Sequence, residues 1–397
     1  MDAPLFSSAL SRESDSKAAI EACTRELMHG LHGYKPDLLT AFVSHHHGTA
    51  IEHLGQELAH RTGARHLLGC TGESIVGPTV EVEGGPALAL WAGVLPRTEV
   101  RPFSVEVAQS EEGVLSFSRL PEVTDRARAS VLLFGDPFAF PAGPYLELVN
   151  AQLAGVECIG GMASGGSGPG QNLIFSERGV VDGAAVGVAI EGEIEVRSIV
   201  SQGCRPIGKP WVVTGCKEHF LLKLGAKKAV EALMETMSGL SEDERELFSR
   251  QPFLGLAIDP RKSSFTRGDF LVRGLMGIDP QQGAIAVGDS SIRVGMTVQF
   301  LVRDAQSAGE DLVHLMRERS EGGARKAESQ GALLFSCNGR GTRMFGSANH
   351  DIGCVQSVFD KPVPAAGFFA AGEIGPVGGR NFVHGFTASV ALFRSRA

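Results

Sequence analysis

The chain has 397 residues, of which 43% are hydrophobic and 51 are glycine. This length exceeds one ordinary core and predicts two domains, and the apolar content excludes general disorder. With 37 basic and 45 acidic residues the formal net charge is −8, which argues against the basic face that nucleic-acid binding requires.

The polarity of the N-terminus, the apolar runs and the cysteines predict where the protein resides. The first twenty residues are polar and charged, without the apolar segment of a secretion signal. The longest apolar runs fall far short of the ~20 residues of a membrane helix, so no membrane insertion is predicted. Seven scattered cysteines without a CxxC motif favour free thiols in a reducing compartment. These features together predict a cytoplasmic protein.

In chain order, the sequence begins with a polar segment and an amphipathic one. Residues 1–16 are predicted to be a flexible tail without regular structure. Residues 17–31 carry Ile20, Cys23 and Leu27 at helical spacing, which predicts an amphipathic helix.

After this helix one structural unit is predicted three times. It begins at "DLLTAFVSHHH", at "SVLLFGDPF" and at "GALLFSCNGRG", and it consists of a strand, a helix, a strand with a glycine-rich end and a further strand. Thr49 and Glu52 have the spacing of a capping box at the first helix, and Pro144 suits the first position of the second. A later helix, between the second and third units, is predicted to open with a capping box of Ser307 and Glu310.

Alternating strands and helices predict an α/β fold. Adjacent strands within each unit favour mixed or antiparallel sheets covered by helices over an all-parallel sheet. We therefore expect two lobes built from repeated strand-helix-strand-strand units. The predicted domains are residues 17–225 and residues 226–397.

The stretch "GCTGESIVG" could present a catalytic nucleophile or could be a backbone turn. "GGMASGG" and "AAGEIGPVGG" occupy the same place in the other two units, and no nucleophile is common to all three. The first stretch also lacks the spacing of a G-x-S-x-G elbow. We interpret these turns as architecture that brings backbone N–H groups to a sheet edge, where a small ligand could bind.

Three other motifs resemble cofactor sites but lack a necessary feature. "GCRPIGKP" has the glycine and lysine spacing of a P-loop, but Pro210 replaces the required serine or threonine. "SHHHG" offers at most two histidines on one strand face, and "GGMASGGSGPG" lacks the G-x-G-x-x-G spacing. No cofactor and no metal site is predicted.

The ordered set of motifs resembles a FIST protein, with FIST N and FIST C domains in tandem. The motifs are "AFVSHHH", "GCTGESIVG", "EVEGGPALAL", "GGMASGG", "CRPIGKPWVVT", "FSCNGRG" and "PAAGFFAAGEIGPVGGRNFVHGFTASVALF". They cover roughly residues 35–393. The resemblance implies an intracellular sensor of small molecules such as amino acids. The segment before the first FIST strand is too short for an F-box, and no signalling output module is predicted, so we expect the protein to signal through a protein partner.

The hypothesis for the site is that Arg340 holds an anionic group of the ligand and Glu373 holds an amine. Arginine between glycines is sterically free to bind a carboxylate in bidentate fashion. Alternatively, Arg340 pairs with a surface acid or caps carbonyl groups, and Glu373 serves an internal network. The complete set of predicted ligand-binding residues is Glu73, Ser164, Asn338, Arg340, Gly341, Glu373, Asn381 and His384.

Two other functions stay open at this stage, although a binding protein is favoured over an enzyme. The first is a cysteine-dependent hydrolase or transferase that uses Cys337 or Cys70, with His350 or His384 nearby. The second is a protein-interaction scaffold without a ligand.

Overall fold

The chain folds into two compact units. The computed structural model describes residues 3–262, 264–265, 268–289, 291–321 and 329–396. Unit 1 comprises residues 1–200 and 312–397, and unit 2 comprises residues 201–311. Unit 2 is therefore inserted in the sequence of unit 1, and the predicted boundary at 225/226 divides the sequence at a point inside unit 2.

The first part of unit 1 contains the first repeat. Its elements are β1 (Leu5–Ser11), α1 (Ser16–Gly30), β2 (Leu38–Ser44), α2 (Ile51–Thr62), β3 (His66–Gly72), β4 (Ser74–Val76), β5 (Glu81–Glu83) and β6 (Leu88–Val94). The prediction of a flexible tail is wrong for β1, which pairs antiparallel with β6. Phe6 and Ala9 of this strand are buried, so the segment is held by apolar contacts as well as by backbone hydrogen bonds.

The second repeat follows directly in unit 1. Its elements are β7 (Thr98–Val105), β8 (Val107–Gln109), β9 (Leu115–Phe117), β10 (Ala129–Gly135), α3 (Ala142–Gln152), β11 (Glu157–Met162), β12 (Ile174–Ser176), β13 (Gly179–Val180), β14 (Ala185–Gly192) and β15 (Ile194–Ser201). Two 3₁₀ turns complete the first two repeats, at His45–Ala50 and at Arg126–Arg128.

Unit 2 is an antiparallel sheet closed on itself. Its elements are β16 (Cys204–Lys217), β17 (Phe220–Leu224), β18 (Lys227–Lys228), α4 (Ala229–Ser238), α5 (Glu242–Arg250), β19 (Phe253–Ala257), β20 (Phe270–Asp279), β21 (Ala284–Val287) and β22 (Thr297–Arg303). The strand order is β16-β22-β19-β20-β21-β17-β18, and β16 also pairs with β17. Its core includes Trp211, Leu254 and Phe300, against which Leu233 of α4 and Phe248 of α5 pack.

The last part of the chain contains the third repeat of unit 1. Its elements are α6 (Ala305–Glu321), β23 (Gly331–Cys337), α7 (Thr342–Phe345), α8 (His350–Gln356), β24 (Ala365–Ala370), β25 (Glu373–Val377), β26 (Arg380–His384) and β27 (Ala388–Ser395). The threefold repetition predicted from the sequence is thereby confirmed, with mixed sheets in unit 1 and an antiparallel sheet in unit 2.

Three sheets in the described part of unit 1 share one plan. Their strand orders are β1-β6-β2-β3-β12-β13, β7-β14-β10-β11-β25-β26 and β15-β27-β23-β24-β4-β5. In each sheet a central strand (β2, β10 or β23) pairs parallel with the strand that follows its helix, and antiparallel with β6, β14 or β27, respectively.

The hairpin of each repeat belongs to a different sheet from its other strands. β4 of the first repeat pairs with β24 of the third, β12 of the second pairs with β3 of the first, and β25 of the third pairs with β11 of the second. The three hairpins are therefore exchanged in a cycle. Each one covers the free edge of the parallel strand in the neighbouring sheet.

Phenylalanines from the three central strands meet in the core between the sheets. Phe42, Phe134 and Phe335 have ring centroids 5.4, 5.6 and 6.2 Å apart. Phe368 of β24 contacts all three, and its ring stacks on Phe42 at 5.2 Å. Aromatic pairs at these distances add to the stability that burial of the rings gives. Helices α1 and α2, α3, and α6 with α8 cover the outer faces of the sheets.

One glycine in each parallel strand lies directly beside a carbonyl group of the central strand. A Cβ atom at these positions would overlap the carbonyl oxygens of Ala41, Leu133 and Leu334, each of which precedes one of the three phenylalanines. The close approach of the two strands therefore requires residues without a side chain. The three glycines are Gly69, Gly160 and Gly367.

The helix starts differ from those predicted. The capping box of Thr49 and Glu52 is wrong, because residues 45–50 form the 3₁₀ turn and α2 begins only at Ile51. The box of Ser307 and Glu310 is wrong as well, because α6 begins two residues earlier.

The first turns of α6 and α3 show how Ser307 and Pro144 fit into these helices. Ser307 lies in the first turn of α6, and its hydroxyl donates to Asp304 at 2.6 Å. Pro144 is the third residue of α3 and not its first, since the helix begins at Ala142. Proline is tolerated there because the first helical turn needs no internal N–H donors.

The described residues contain no P-loop, no metal-ligand cluster and no membrane-spanning helix. Residues 204–210 form the first half of β16, which continues as a strand where a P-loop would have a helix. Across the described ranges, no group of three or more His, Cys, Asp or Glu side chains could hold a metal ion. None of the helices in these ranges is long and apolar enough to cross a membrane.

We expect Gly367→Ala to lower the free energy of unfolding by about 1–3 kcal/mol, because the added methyl group overpacks the sheet against Leu334. Urea unfolding followed by circular dichroism measures this. Gly353→Ala is the matched control, because a Cβ at this position in α8 has no atom within 4 Å. It should raise stability by about 0.5–1 kcal/mol. Equal stabilities of the two variants would contradict the role assigned to Gly367.

Candidate functional site

Arg340 lies three residues after the end of β23 and is completely buried. Its Nε and Nη2 donate to Oδ2 and Oδ1 of Asp351, in α8, at 2.6 and 2.8 Å. The carboxylate in the fork of Arg340 is thus one of the chain itself, but it is buried, whereas the sequence suggested a surface acid as the alternative to a ligand. The remaining nitrogen, Nη1, is buried without a hydrogen-bond partner among the described residues.

Asp351 is fixed by several donors. The Ser336 hydroxyl donates to its Oδ2 at 2.6 Å, and His350 Nδ1 lies 3.0 Å from its Oδ1. Burial opposes ionisation of this carboxyl, but the charge and hydrogen bonds of Arg340 outweigh it and lower the pKa of Asp351. Asp351 is therefore an anion that neutralises Arg340.

A second carboxyl, Glu81 of β5, approaches the same pair from the first repeat. It is 4% exposed, and its Oε1 accepts the N–H of Ile352 at 2.8 Å. Burial and the nearby charge of Asp351 raise the pKa of Glu81 to about 7. Glu81 is therefore poised between its protonated and ionised forms near neutral pH.

A third carboxyl, Glu373, is the first residue of β25 and is fully buried. Its Oε2 accepts the N–H and the hydroxyl of Thr387 at 3.0 and 2.7 Å. Its Oε1 has no hydrogen-bond partner among the described residues. Burial raises the pKa of Glu373 to about 8, against the lowering effects of Thr387, Arg340 and Cys337. At neutral pH this side chain is mostly an uncharged acid that can donate a hydrogen bond.

Cys337, the last residue of β23, is only partly buried. Its side chain interacts with the carboxyl of Glu373 and with the guanidinium of Arg340. Cys70, the other cysteine considered from the sequence, is completely buried, and burial raises its pKa well above the usual range. The structure therefore leaves Cys337 as the accessible thiol of the two.

The two histidines considered as partners of a cysteine have other contacts. His350 interacts with Asp351, and its Nε2 lies 3.9 Å from the Sγ of Cys354. His384 pairs with Glu373 across β25 and β26, and its Nε2 lies 2.9 Å from the carbonyl oxygen of Gly375.

A short segment, residues 341–346, covers Arg340 and is called here the cover segment. It contains α7 between Gly341 and Gly346, both with positive φ. Phe345 places its ring 5.2 Å from the guanidinium carbon of Arg340. Two residues of the first repeat bind the outer side of the cover segment.

Two acidic residues near β4 and β5 hold the cover segment. The Glu83 carboxylate accepts the N–H of Thr342 at 3.0 Å and its hydroxyl at 2.6 Å. Glu73 pairs with Arg343, which also donates to the carbonyl oxygen of Asn338 at 3.0 Å. Glu73, predicted to bind ligand, thus has a partner on the surface of the cover segment.

Other predicted ligand residues serve the framework. The Ser164 hydroxyl accepts the N–H of Glu73 at 2.8 Å and donates to the carbonyl oxygen of Phe369, which ties three repeats together. Asn381 accepts the N–H of Cys158 at 2.8 Å and pairs with Asn150 of α3. These contacts use the polar atoms of both residues for positioning strands.

The structure thus brings four predicted residues to one place, and three residues were missed. Arg340, Asn338 and Gly341 lie in one turn, and Glu373 approaches Arg340 from β25. The missed residues are Glu81, Asp351 and Thr387. The sequence signal that could have indicated Glu81 is its place beside Val82 in a short strand.

The sequence matches the FIST N domain over residues 37–227 and the FIST C domain over residues 229–376. The chain belongs to the FIST family. In this FIST protein Arg340, Asp351 and Glu373 lie within the FIST C match, whereas Glu81 lies within the FIST N match. The candidate site therefore combines residues from both parts of the FIST sequence.

Relatives of this FIST protein are found in mycobacteria. An uncharacterised protein of Mycobacterium tuberculosis is 42% identical over 327 residues, which cover 82% of this chain and 83% of the relative. A second protein of this species and one of Mycobacterium bovis, both uncharacterised, are 41% identical over 329 residues, with 82% of each chain covered.

We expect Asp351→Asn to lower the free energy of unfolding by about 3–5 kcal/mol, because it leaves the charge of Arg340 buried without a counterion. Chemical denaturation measures this. Glu57→Gln is the control, since Glu57 pairs with Arg61 at 2.6 Å, one turn apart on the exposed face of α2. Its loss should cost at most about 1 kcal/mol. A loss for Asp351→Asn no larger than that of the control would contradict the assigned role.

Glu373 makes stability depend on pH. The fold keeps the Glu373 proton up to about pH 8, whereas the unfolded chain loses it near about pH 4.3. Unfolding between these values releases a proton, so rising pH favours the unfolded state. The stability of the wild type relative to Glu373→Gln should therefore fall between about pH 5 and 8, by up to about 1.4 kcal/mol per pH unit. Urea titrations across this range test it, and a difference that stays flat or rises would refute it.

Proposed function

We propose that this FIST protein is a sensor that binds a small polar molecule between Arg340, Asn338 and Glu373 and reports the bound state to a protein partner. FIST domains are associated with sensing in signal transduction, and the two domain matches support this class of function. The ligand we propose is an amino acid or another small carboxylate.

Three unpartnered polar atoms carry this proposal. Arg340 Nη1, Asn338 Oδ1 and Glu373 Oε1 are buried without hydrogen-bond partners among the described residues. Buried polar groups nearly always have partners, because each unmade hydrogen bond costs free energy. A ligand that supplies these partners would gain affinity, and the partly exposed Cys337 and Asn338 mark the route to the surface.

The charges favour a ligand with both an acidic and a basic group. Arg340 Nη1 can donate to a carboxylate oxygen, although Asp351 already neutralises the arginine. Asn338 Oδ1 can accept from an amine. Glu373 is mostly protonated at neutral pH, so an ammonium group would displace its proton. Binding of an amino acid near pH 7 is therefore coupled to proton release.

The cover segment provides a means to transmit binding. Its contacts to Glu73 and Glu83 are partly exposed and are made by single side chains. A ligand beside Arg340 would change the packing of Phe345 and thereby the surface that a partner contacts. We place this sensor in the cytoplasm, which the free state of all seven cysteines supports.

A thermal-shift screen against amino acids and organic acids tests the proposal. A ligand at about 100 times its dissociation constant adds about 2.7 kcal/mol, which moves the melting temperature by a few degrees. The hit should bind Glu57→Gln like wild type and lose affinity at least about tenfold in Asn338→Ala and Glu373→Gln. Calorimetry in two buffers should show proton release for an amine-bearing ligand. Undiminished binding by both site variants would refute this site, and silence across the panel would favour a scaffold without a ligand.

A further inference from the structure

We propose that Cys337 is a thiol-exchange site, at which Glu373 accepts the thiol proton and the sulfur forms a mixed disulfide with a small disulfide whose anionic group contacts Arg340. This covalent activity goes beyond reversible ligand binding, although it uses some of the same side chains. The chemical class of the substrate is a low-molecular-weight disulfide that carries a carboxylate.

Thr387 positions the thiol beside the carboxyl. Its carbonyl oxygen accepts the N–H of Cys337 at 3.0 Å. Its own N–H and hydroxyl hold the Oε2 of Glu373 at 3.0 and 2.7 Å. Thr387, the residue before β27, thus fixes both the backbone of the nucleophile and the carboxyl that would accept its proton.

The surroundings of the thiol contain two buried groups with unused hydrogen-bonding capacity. Arg340 and Glu373 are both fully buried and both interact with Cys337. Nη1 of Arg340 and Oε1 of Glu373 have no hydrogen-bond partners in the described residues. A guanidinium next to a thiol stabilises the thiolate, which is the nucleophilic form. The raised pKa of Glu373, about 8, is close to that of an ordinary thiol, so a proton can pass between them in either direction.

The exchange balances without a further oxidant. At pH 7 the minor ionised fraction of Glu373 takes the proton of Cys337, and the thiolate attacks one sulfur of the small disulfide. The bond between the two sulfurs of that molecule breaks, and a bond forms between one of them and Cys337 Sγ. The departing thiolate takes the proton from Glu373. Cys337 is oxidised to a mixed disulfide, and the other half of the small disulfide is reduced to a thiol.

The backbone at this turn favours disulfide exchange over acyl transfer. A hydrolase or acyltransferase needs N–H donors aimed at a developing oxyanion. The N–H groups of Cys337, Asn338 and Arg340 already donate to the carbonyl oxygens of Thr387, Ala370 and Cys337, at 3.0, 3.1 and 2.8 Å. Thiol–disulfide exchange places its charge on sulfur alone and requires no such donors.

Two other cysteines provide internal controls. Cys216 and Cys354 are partly exposed, as Cys337 is, whereas the remaining four cysteines are buried. Burial raises the pKa of Cys354 to about 11. Cys216 is therefore the matched control for exposure, since the raised pKa of Cys354 already predicts slow reaction there. The proposal predicts a preference for Cys337 over Cys216.

The test incubates the reduced full-length protein without oxygen at pH 7 with oxidised glutathione, and peptide mass mapping follows the mixed disulfide at each cysteine. Cys337 should react at least about tenfold faster than Cys216 and Cys354. Glu373→Gln should slow Cys337 about tenfold, whereas Glu57→Gln should not. Cystamine, a disulfide with amines in place of carboxylates, should lose most of the preference for Cys337.

Three results would overturn the proposal. They are a rate at Cys337 no higher than at the other two thiols, an undiminished rate in folded Glu373→Gln, and equal selectivity with cystamine. The first and third need only the wild-type protein, so they decide the matter even if Glu373→Gln does not fold. The thermal shift of the reversible ligand is measured on the wild-type protein without any disulfide, so failure of the exchange reaction is distinguishable from failure of the sensor proposal.

Discussion

In unit 1, the edge of each parallel strand is covered by a hairpin that comes from another repeat. β3, β11 and β24 would otherwise present rows of unpaired N–H and C=O groups, which invite pairing with other chains. The hairpins β12–β13, β25–β26 and β4–β5 satisfy these edges in a cycle. Because no repeat covers its own edge, the three sheets must form together, and the phenylalanines of the central strands join in one core.

The same exchange assembles the candidate site. Arg340 and Asp351 belong to the third repeat, but Glu81 arrives on the hairpin of the first repeat. Glu373 begins the hairpin that leaves the third repeat for the sheet of the second. Carboxyls carried into the interior in this way lose their hydration, and this loss raises the pKa values of Glu81 and Glu373. The chemistry of the site is thus a consequence of the topology.

The sequence predicts the helices and strands of this fold better than it predicts which strands pair with each other. The helical spacing of Ile20, Cys23 and Leu27 correctly predicts α1, and the glycine-ended strands reveal the threefold repeat. The exchanged hairpins have strands of two to five residues, which are too short for a reliable periodic signal. Their pairing also joins strands that are about 100 to 290 residues apart, which local patterns do not encode.

The site shows the same contrast. Glycine neighbours and strand ends single out Arg340 and Glu373, which the structure brings into one region. The sequence gives no indication that Arg340 is fully buried, so its pairing with Asp351 in α8 could not be chosen over a ligand carboxylate. Burial depends on the cover segment and on the exchanged hairpin, both of which are set by tertiary contacts. The prediction of a flexible tail is wrong for a related reason, because β1 is stabilised by pairing with β6 and not by its own composition.

The cyclic exchange also has a consequence during synthesis on the ribosome. The hairpin β4–β5 leaves the exit tunnel early, but its partner strand β24 is translated roughly 280 residues later. At about 5–20 residues per second, the nascent hairpin waits about 15–60 s without its sheet. During this interval its strand edges are open to misassembly with other nascent chains. Chaperone occupancy of the growing polypeptide should therefore persist until the third repeat has emerged.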